Sequence, residues 1–212
     1  MSEKDSSVND LTQFFKKSHK IEDNLYLGEL KLATNKTELK TLDIKVIVSV
    51  VDYNMPEVKI PDIKYYHFRV ADGPNEDILS IFGETNQIIS DCQSKGVNVL
   101  VHCTAGVSRS ATVVIAYLMS KHKKPYKEII QRVKDIRKKI SPNDGFVKQL
   151  ILYEELNYRI DANDKKLRQH LLRTLFLNTN ISNTSDRYFQ RLVAVERLTP
   201  NLLPGKGYLC AK

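Results

Sequence analysis

Residues Val97 to Met119 constrain this chain more than any other stretch. Val97, Val99, Leu100 and Val101 form a short apolar run rich in β-branched residues, the pattern of a buried strand. His102 to Arg109 is a compact run of small and polar residues around Gly106. Ser110 to Met119 is apolar on nearly every side, the pattern of a buried helix. Strand, tight loop and helix N-terminus follow in direct succession, with Cys103 at the head of the loop and Arg109 at its end.

That succession has a chemical consequence. A helix N-terminus leaves backbone N–H groups unpaired and carries a partial positive charge. A loop curling into it aims more N–H groups inward and makes an anion site suited to phosphate. The same field favours the thiolate of Cys103 at the floor of the site. Arg109 adds a planar fork for two phosphate oxygens. A thiolate beneath a bound phosphate implies phosphomonoester hydrolysis through a phosphocysteine. The competing reading is a small buried hydrophobic cysteine with an unrelated arginine six residues on. The strand before, the glycine within and the buried helix after supply the context a motif requires.

The run His102-Cys103-Thr104-Ala105-Gly106-Val107-Ser108-Arg109-Ser110 resembles the signature of the dual-specificity protein phosphatases, a branch of the cysteine-based protein tyrosine phosphatases. Ala116-Tyr117-Leu118-Met119 and the earlier Tyr26-Leu27-Gly28 are similar to that family too. The resemblance covers roughly residues 20–158 and is that of an atypical member. It implies that the loop Thr104, Ala105, Gly106, Val107, Ser108 and Arg109 binds the substrate phosphate, and that no metal or other cofactor takes part. Ser108 and Ser110 point to the dual-specificity branch, with a shallow site open to phosphotyrosine, phosphoserine and phosphothreonine. The lysines that the lipid-phosphatase branch carries in this loop are replaced by Thr104, Ala105 and Val107.

A serine or tyrosine oxygen leaves poorly without a proton, so the chemistry needs a general acid on a mobile loop. Asp72 follows a strand in a Gly-Pro turn, 31 residues before Cys103, and matches the family's general-acid position. The bland alternative is an ordinary turn aspartate. Asp77, which also suits a helix cap, ranks second and Asp52 third. In the family the serine after the arginine, here Ser110, stabilises the thiolate when the phosphocysteine is hydrolysed; a plain helix N-terminal residue is its alternative. The histidine before the nucleophile, here His102, supports loop and thiolate there; a satisfied buried histidine competes. Asn143, in Pro-Asn-x-Gly-Phe before Gln149-Leu150, resembles a family segment that helps fix the phosphate loop, and a helix N-cap role is compatible with it.

The rest of the chain frames this site. Asn24–Gly28, Lys45–Val51 and Ile63–Val70 read as strands, and Thr34–Leu42 as a helix. A helix from Glu76 or Asp77 to Ser94 carries Ile78, Ile81, Phe82, Ile88, Ile89 and Cys92 at helical spacing. Pro125 opens a helix with the stripe Ile129, Val133, Ile136 and Ile140 and basic faces elsewhere. Phe146 to Tyr158 closes the domain. Strands alternating with helices predict an α/β fold with a central, mostly parallel sheet of about four to five strands, flanked by helices and followed by a C-terminal helical extension. The loop leaves the carboxyl end of a strand, where such sheets place ligands. Residues 1–20 form a polar segment, partly disordered, which can start a short helix at Leu11–Phe15. Residues 21–158 form the catalytic domain. Residues 159–212 form a basic extension with helices expected at Asp164–Leu177 and Asp186–Leu198.

The 212 residues carry a net charge of +8. Residues 1–120 hold 13 basic against 16 acidic side chains, residues 121–173 hold 15 against 7, and residues 174–212 hold 5 against 2. The basic half suits acidic partners such as phosphoproteins, anionic lipid or nucleic acid, or is simply a solvated lysine-rich surface. Three cysteines are too few and scattered for a disulfide framework. With no secretory pattern, a Ser2 that excludes N-myristoylation, no prenylation box at Cys210 and no apolar run long enough to span a membrane, the expectation is a cytoplasmic or nuclear protein. The sequons at Asn35, Asn180 and Asn183 carry little weight without secretion. Two other functions remain open on these residues: an RNA 5′-phosphatase using the same loop chemistry, and a non-catalytic phosphoprotein-binding scaffold.

Overall fold

The computed structural model describes residues 18–54, 60–161 and 163–179. The expected helices at 11–15 and 186–198, the disorder of residues 1–10, Cys210 and the sequons at Asn180 and Asn183 lie outside them.

Five strands form one mixed sheet: β1 (Ser18–Glu22), β2 (Leu25–Glu29), β3 (Ile44–Val50), β4 (Lys64–Phe68) and β5 (Asn98–Cys103). Their spatial order is β1-β2-β5-β3-β4. β2, β5, β3 and β4 run parallel, and β1 pairs antiparallel with β2. The central strands β3 and β5 are almost wholly buried, as a parallel sheet covered on both faces requires. β1 escaped the sequence reading because five residues with one full apolar side chain carry little period-2 signal.

The helices are α1 (Leu30–Ala33), α2 (Lys36–Thr41), α3 (Phe82–Ser94), α4 (Arg109–His122), α5 (Tyr126–Ile136), α6 (Asp144–Glu155) and α7 (Lys165–Thr179). The helix expected over Thr34–Leu42 is α2, capped by Asn35, which accepts the Glu38 N–H, and the short α1 precedes it without a sequence expectation. The helix expected from Asp77 begins as a 3₁₀ turn at Leu79–Ile81, with Asp77 accepting the Ser80 N–H at 3.1 Å.

α4 is buried from Arg109 through Met119 and forms the centre of the main core with Leu25, Val48, Val101, Phe82 and Phe146. A second cluster of Leu32, Leu39, Ile44, Ile47 and Leu100 fills the opposite sheet face. α4 stops at Lys123, whose left-handed backbone (φ 53°) and following Lys124-Pro125 turn the chain into α5. α7 is not a free appendage: Leu167 and Leu171 are buried in the main core.

Candidate active site

The site sits at the carboxyl end of β5, where Cys103 ends the strand and Arg109 starts α4. Cys103 is 2% exposed. Its Sγ accepts hydrogen bonds from the Gly106 N–H and the Ser110 hydroxyl, each at 3.2 Å. Burial alone pushes the thiol up. The Ser110 hydroxyl and the backbone N–H groups of Ser110, Val107 and Gly106 outweigh it, so the group ends below its ordinary value.

The loop is built so that its N–H groups face the sulfur, which forces its carbonyls to face away into protein. The Leu30 and Ser141 N–H groups donate to the carbonyls of Thr104 and Val107, and Arg137 receives those of Ala105 and Gly106. Its Nε donates to the Gly106 carbonyl at 2.9 Å and Nη2 to the Ala105 carbonyl at 3.4 Å, while Nη1 meets His19 Nδ1 at 2.9 Å. Arg137 is fully buried. Burial holds its pKa below the ordinary value, and the charges of Glu29 and Cys103 offset this only in part. Gly106 stands at φ +65°, and a Cβ there would lie 2.4 Å from the Gly28 carbonyl oxygen. The loop is thus wedged between β2 and Arg137, and only glycine fits the wedge. Arg137 carries no expectation of its own from the sequence, where the faces of this helix outside the apolar stripe read as basic. The helix in fact ends at Ile136, and Arg137 turns inward. The signal was present: Arg137 lies four residues after Val133, on the apolar stripe.

Arg109 is 6% exposed. Its Nη1 donates to the Val70 carbonyl at 3.2 Å and to Asp52 Oδ1 at 3.3 Å, and Nη2 donates to Thr104 Oγ1 at 3.0 Å. Its Nε is buried without a hydrogen-bond partner, with Asp72 Oδ2 3.7 Å away. A buried charged donor left unpaired is costly, and an anion oxygen would satisfy it. Asp52, third among the acid candidates, is the ion-pair partner that sets the guanidinium's plane. Tyr53 joins the rim, its hydroxyl 3.3 Å from Thr104 Oγ1. Nothing in its sequence context singled it out.

Asp72 stands beside the loop. Its Oδ1 accepts from the Ser108 hydroxyl at 2.7 Å and from Asn143 Nδ2 at 3.0 Å. Ser108, expected to bind phosphate, spends its hydroxyl on Asp72 and also accepts the Asn143 N–H at 3.2 Å. Asn143 does two jobs. Its Oδ1 caps α6 by accepting the Phe146 N–H at 3.0 Å while its Nδ2 holds Asp72. His102 is fully buried between Ser49 Oγ, 2.7 Å from Nε2, and the Cys103 carbonyl, 3.3 Å from Nδ1. Burial pushes it down to about 4, against the hydrogen bond to the Cys103 carbonyl and helped by the charges of His67 and Arg109. It is a neutral ring that braces the backbone under the nucleophile, not a base. Among the described residues no group of three or more His, Cys, Asp or Glu side chains could hold a metal ion, and no helix is long and apolar enough to cross a membrane.

A mixed sheet with a cysteine–arginine phosphate loop at the end of its central strand defines a protein tyrosine phosphatase-like domain. Within that class the chain belongs to the dual specificity phosphatases, whose catalytic domain matches residues 25–156. Tyrosine-protein phosphatase yvh1 of Schizosaccharomyces pombe is 34% identical over 167 residues, 79% of this chain and 48% of the relative. Dual specificity protein phosphatase 15 of Rattus norvegicus is 38% identical over 152 residues, 72% of this chain and 61% of the relative. The chain therefore spans less than two thirds of these relatives' length. Among solved structures, the human tyrosine phosphatase-like serine/threonine/tyrosine-interacting protein superposes with a TM-score of 0.63 at 32% identity, covering 68% of this chain and all of that one. The DUSP15 structure superposes with a TM-score of 0.62 at 30% identity, covering 79% and 98%.

Proposed function

We propose that the chain hydrolyses phosphotyrosine and phosphoserine/threonine esters on proteins through a phosphocysteine, with no metal or other cofactor. The observation that carries this is the Cys103 sulfur held by the Ser110 hydroxyl and the Gly106 N–H, beside a buried Arg109 Nε that makes no hydrogen bond.

The loop N–H groups and Arg109 hold the phosphate dianion over Cys103. The thiolate attacks phosphorus: the S–P bond forms, the bond to the leaving oxygen breaks, and Asp72 passes its proton to that oxygen. Asp72 then takes a proton from water as the water oxygen bonds to phosphorus and the S–P bond breaks. The departing thiolate is received by the Ser110 hydroxyl and the loop N–H groups. A reducing compartment, cytoplasm or nucleus, keeps Cys103 available for the next cycle. The human structural neighbour is a tyrosine phosphatase-like interacting protein, the kind of relative that a scaffold reading would favour. A chain whose contacts favour a thiolate at Cys103 fits catalysis better than a scaffold.

The test is turnover of phosphotyrosine and phosphothreonine peptides by wild type and Cys103→Ser under reducing conditions. Cysteine-dependent release of phosphate from both supports the reading. Equal activity of the two proteins sinks it, and faster turnover of triphosphate-ended RNA than of peptides replaces it with an RNA 5′-phosphatase.

A further inference from the structure

We propose that Gln149 is a positioning residue for the acid: it clamps the Asp72 loop onto α6, so that the general acid stands at the phosphate loop before any substrate arrives. This rests on Asp72 acting as the acid in the function proposed above.

A surface loop of this kind is ordinarily mobile, and a general acid on it must be brought in by closure. Here residues 72–79 are held along their length by one helix. Gln149 is 3% exposed, in the second turn of α6. Its Oε1 accepts from the Ile78 and Leu79 N–H groups, both at 2.9 Å. Its Nε2 donates to the Glu76 carbonyl at 2.7 Å. Two donors and one acceptor of the loop fix the amide in a single orientation, because a flipped amide would set NH₂ against two N–H groups. No other uncharged side chain of this length offers that pairing.

The rest of the loop follows from this anchor. The Glu76 N–H donates to the Gly73 carbonyl at 3.1 Å and closes the Gly73–Glu76 turn. Pro74 at its tip lies against α6 so closely that a Cβ on Gly145 would meet the Pro74 carbonyl oxygen and carbon. At the near end Asn143, the cap of the same helix, holds Asp72 Oδ1. Asn143, Gly145 and Gln149 thus fix the start, the tip and the end of the loop from one rigid element. The loop entropy is removed by folding and not charged against binding or the chemical step.

A glutamine that merely satisfies buried backbone would, when replaced, cost stability and lower all activity alike. A positioning role predicts a dependence on the leaving group, since an activated aryl oxide departs without a proton and a serine oxygen does not. The experiment compares full-length wild type, Gln149→Leu, Gln149→Glu and Asp72→Asn on an activated aryl phosphate and on a phosphoserine peptide, with thermal melts alongside. Gln149→Leu should lower kcat on the phosphoserine peptide roughly ten- to hundredfold. On the aryl phosphate it should lose less than about threefold, with KM on both substrates little moved. Gln149→Glu keeps the two acceptor bonds but replaces the donor to the Glu76 carbonyl with an oxygen, so it should recover part of the peptide activity and less than wild type. It also guards against a Leu variant that fails to fold. Equal losses on the two substrates, or no loss on the peptide, overturn the inference while Asp72→Asn still shows the leaving-group effect. If Asp72→Asn shows none, Asp72 is not the acid, and this inference falls with that reading.

Discussion

The phosphate loop and the acid loop meet at one site and are held by opposite means. The phosphate loop, residues 103–109, is positioned through its own backbone: strand β5 delivers it, α4 receives it, and its N–H groups converge on Cys103 with Gly106 at φ +65°. Two of its outward carbonyls, Ala105 and Gly106, are answered by one distant cation, Arg137, and those of Thr104 and Val107 by the Leu30 and Ser141 N–H groups. The acid loop, residues 72–79, has little regular structure of its own. It takes its shape from side chains of α6, chiefly Asn143 and Gln149. A site for a dianion needs many fixed N–H donors at one point, which only local backbone can deliver. A proton donor needs one carboxyl at one point, and a few side chains suffice.

The largest effect expected is Cys103→Ser, which removes the nucleophile and should abolish turnover on every substrate by on the order of 10⁴-fold or more, as nucleophile deletions do. Steady-state phosphate release checks it. Gly106→Ala comes next. The new Cβ meets the Gly28 carbonyl oxygen at 2.4 Å on a strained left-handed backbone, so the loop must shift. A shift of that size in a site of fixed donors costs about a hundredfold or more on all substrates alike. Gly145→Ala is its counterpart in the acid loop, where the Cβ meets Pro74 backbone. It should cost roughly tenfold on phosphoserine peptides and little on activated aryl phosphates. Equal substrate profiles for the two alanine variants would erase the distinction between the loops.

Ser110→Ala probes the phosphate loop from the thiolate's side. Burial raises the Cys103 thiol, and the hydrogen bonds led by the Ser110 hydroxyl overcome it. Losing that hydroxyl moves the thiol up and lowers the thiolate fraction at neutral pH. Alkylation of Cys103 followed against pH should titrate below a free thiol in wild type and shift to higher pH in Ser110→Ala. Phosphocysteine hydrolysis should slow about tenfold, the worth of one hydrogen bond to a charged group. An unshifted alkylation profile would leave the backbone N–H groups as the whole of the thiolate's support.

The same contrast governs what was legible in the sequence. Cys103, Gly106, Arg109 and Ser110 could be placed because strand, loop and helix adjoin in the chain, so spacing alone sets their geometry. The parallel sheet was legible from the continuous apolar runs of β3 and β5. Arg137 was not singled out, and Gln149 entered only as part of a resembling segment with no role, because their partners lie 31 and about 70 residues away. Composition makes an arginine in a lysine-rich run look solvated. Yet both fall on apolar stripes, Arg137 after Val133 and Gln149 beside Phe146 and Leu150, and a polar residue on a buried stripe must be bonded to something. β1 was illegible for a different reason: its place is set by pairing with β2 and by the ion pairs of Glu22, neither of which has a periodic signal.

Those ion pairs offer a control lying outside both loops. Glu22 joins β1 to the end of α4 and to α5: its Oε2 meets Lys121 Nζ, and its Oε1 meets His122 Nε2 and Arg132 Nη2, all at 2.7 Å. The side chain is 9% exposed. Burial pushes the carboxyl up, and the hydrogen bonds and charges of Lys121 and His122 outweigh it, so its folded-state pKa lies below the ordinary value. A depressed carboxyl stabilises the fold above the unfolded-state pKa, and that stability is lost as pH falls through the folded-state value. Glu22→Gln should therefore lower stability near neutral pH by about 1–2 kcal/mol, seen as a fall of a few degrees in Tm. The gap from wild type should narrow as the pH drops below the usual carboxylate range. Because Glu22 touches neither loop, the variant should keep the wild-type ratio of peptide to aryl phosphate turnover. A changed ratio would mean that the acid loop can be moved relative to the phosphate loop from the β1 edge, despite the Ser108–Asp72 hydrogen bond that joins them.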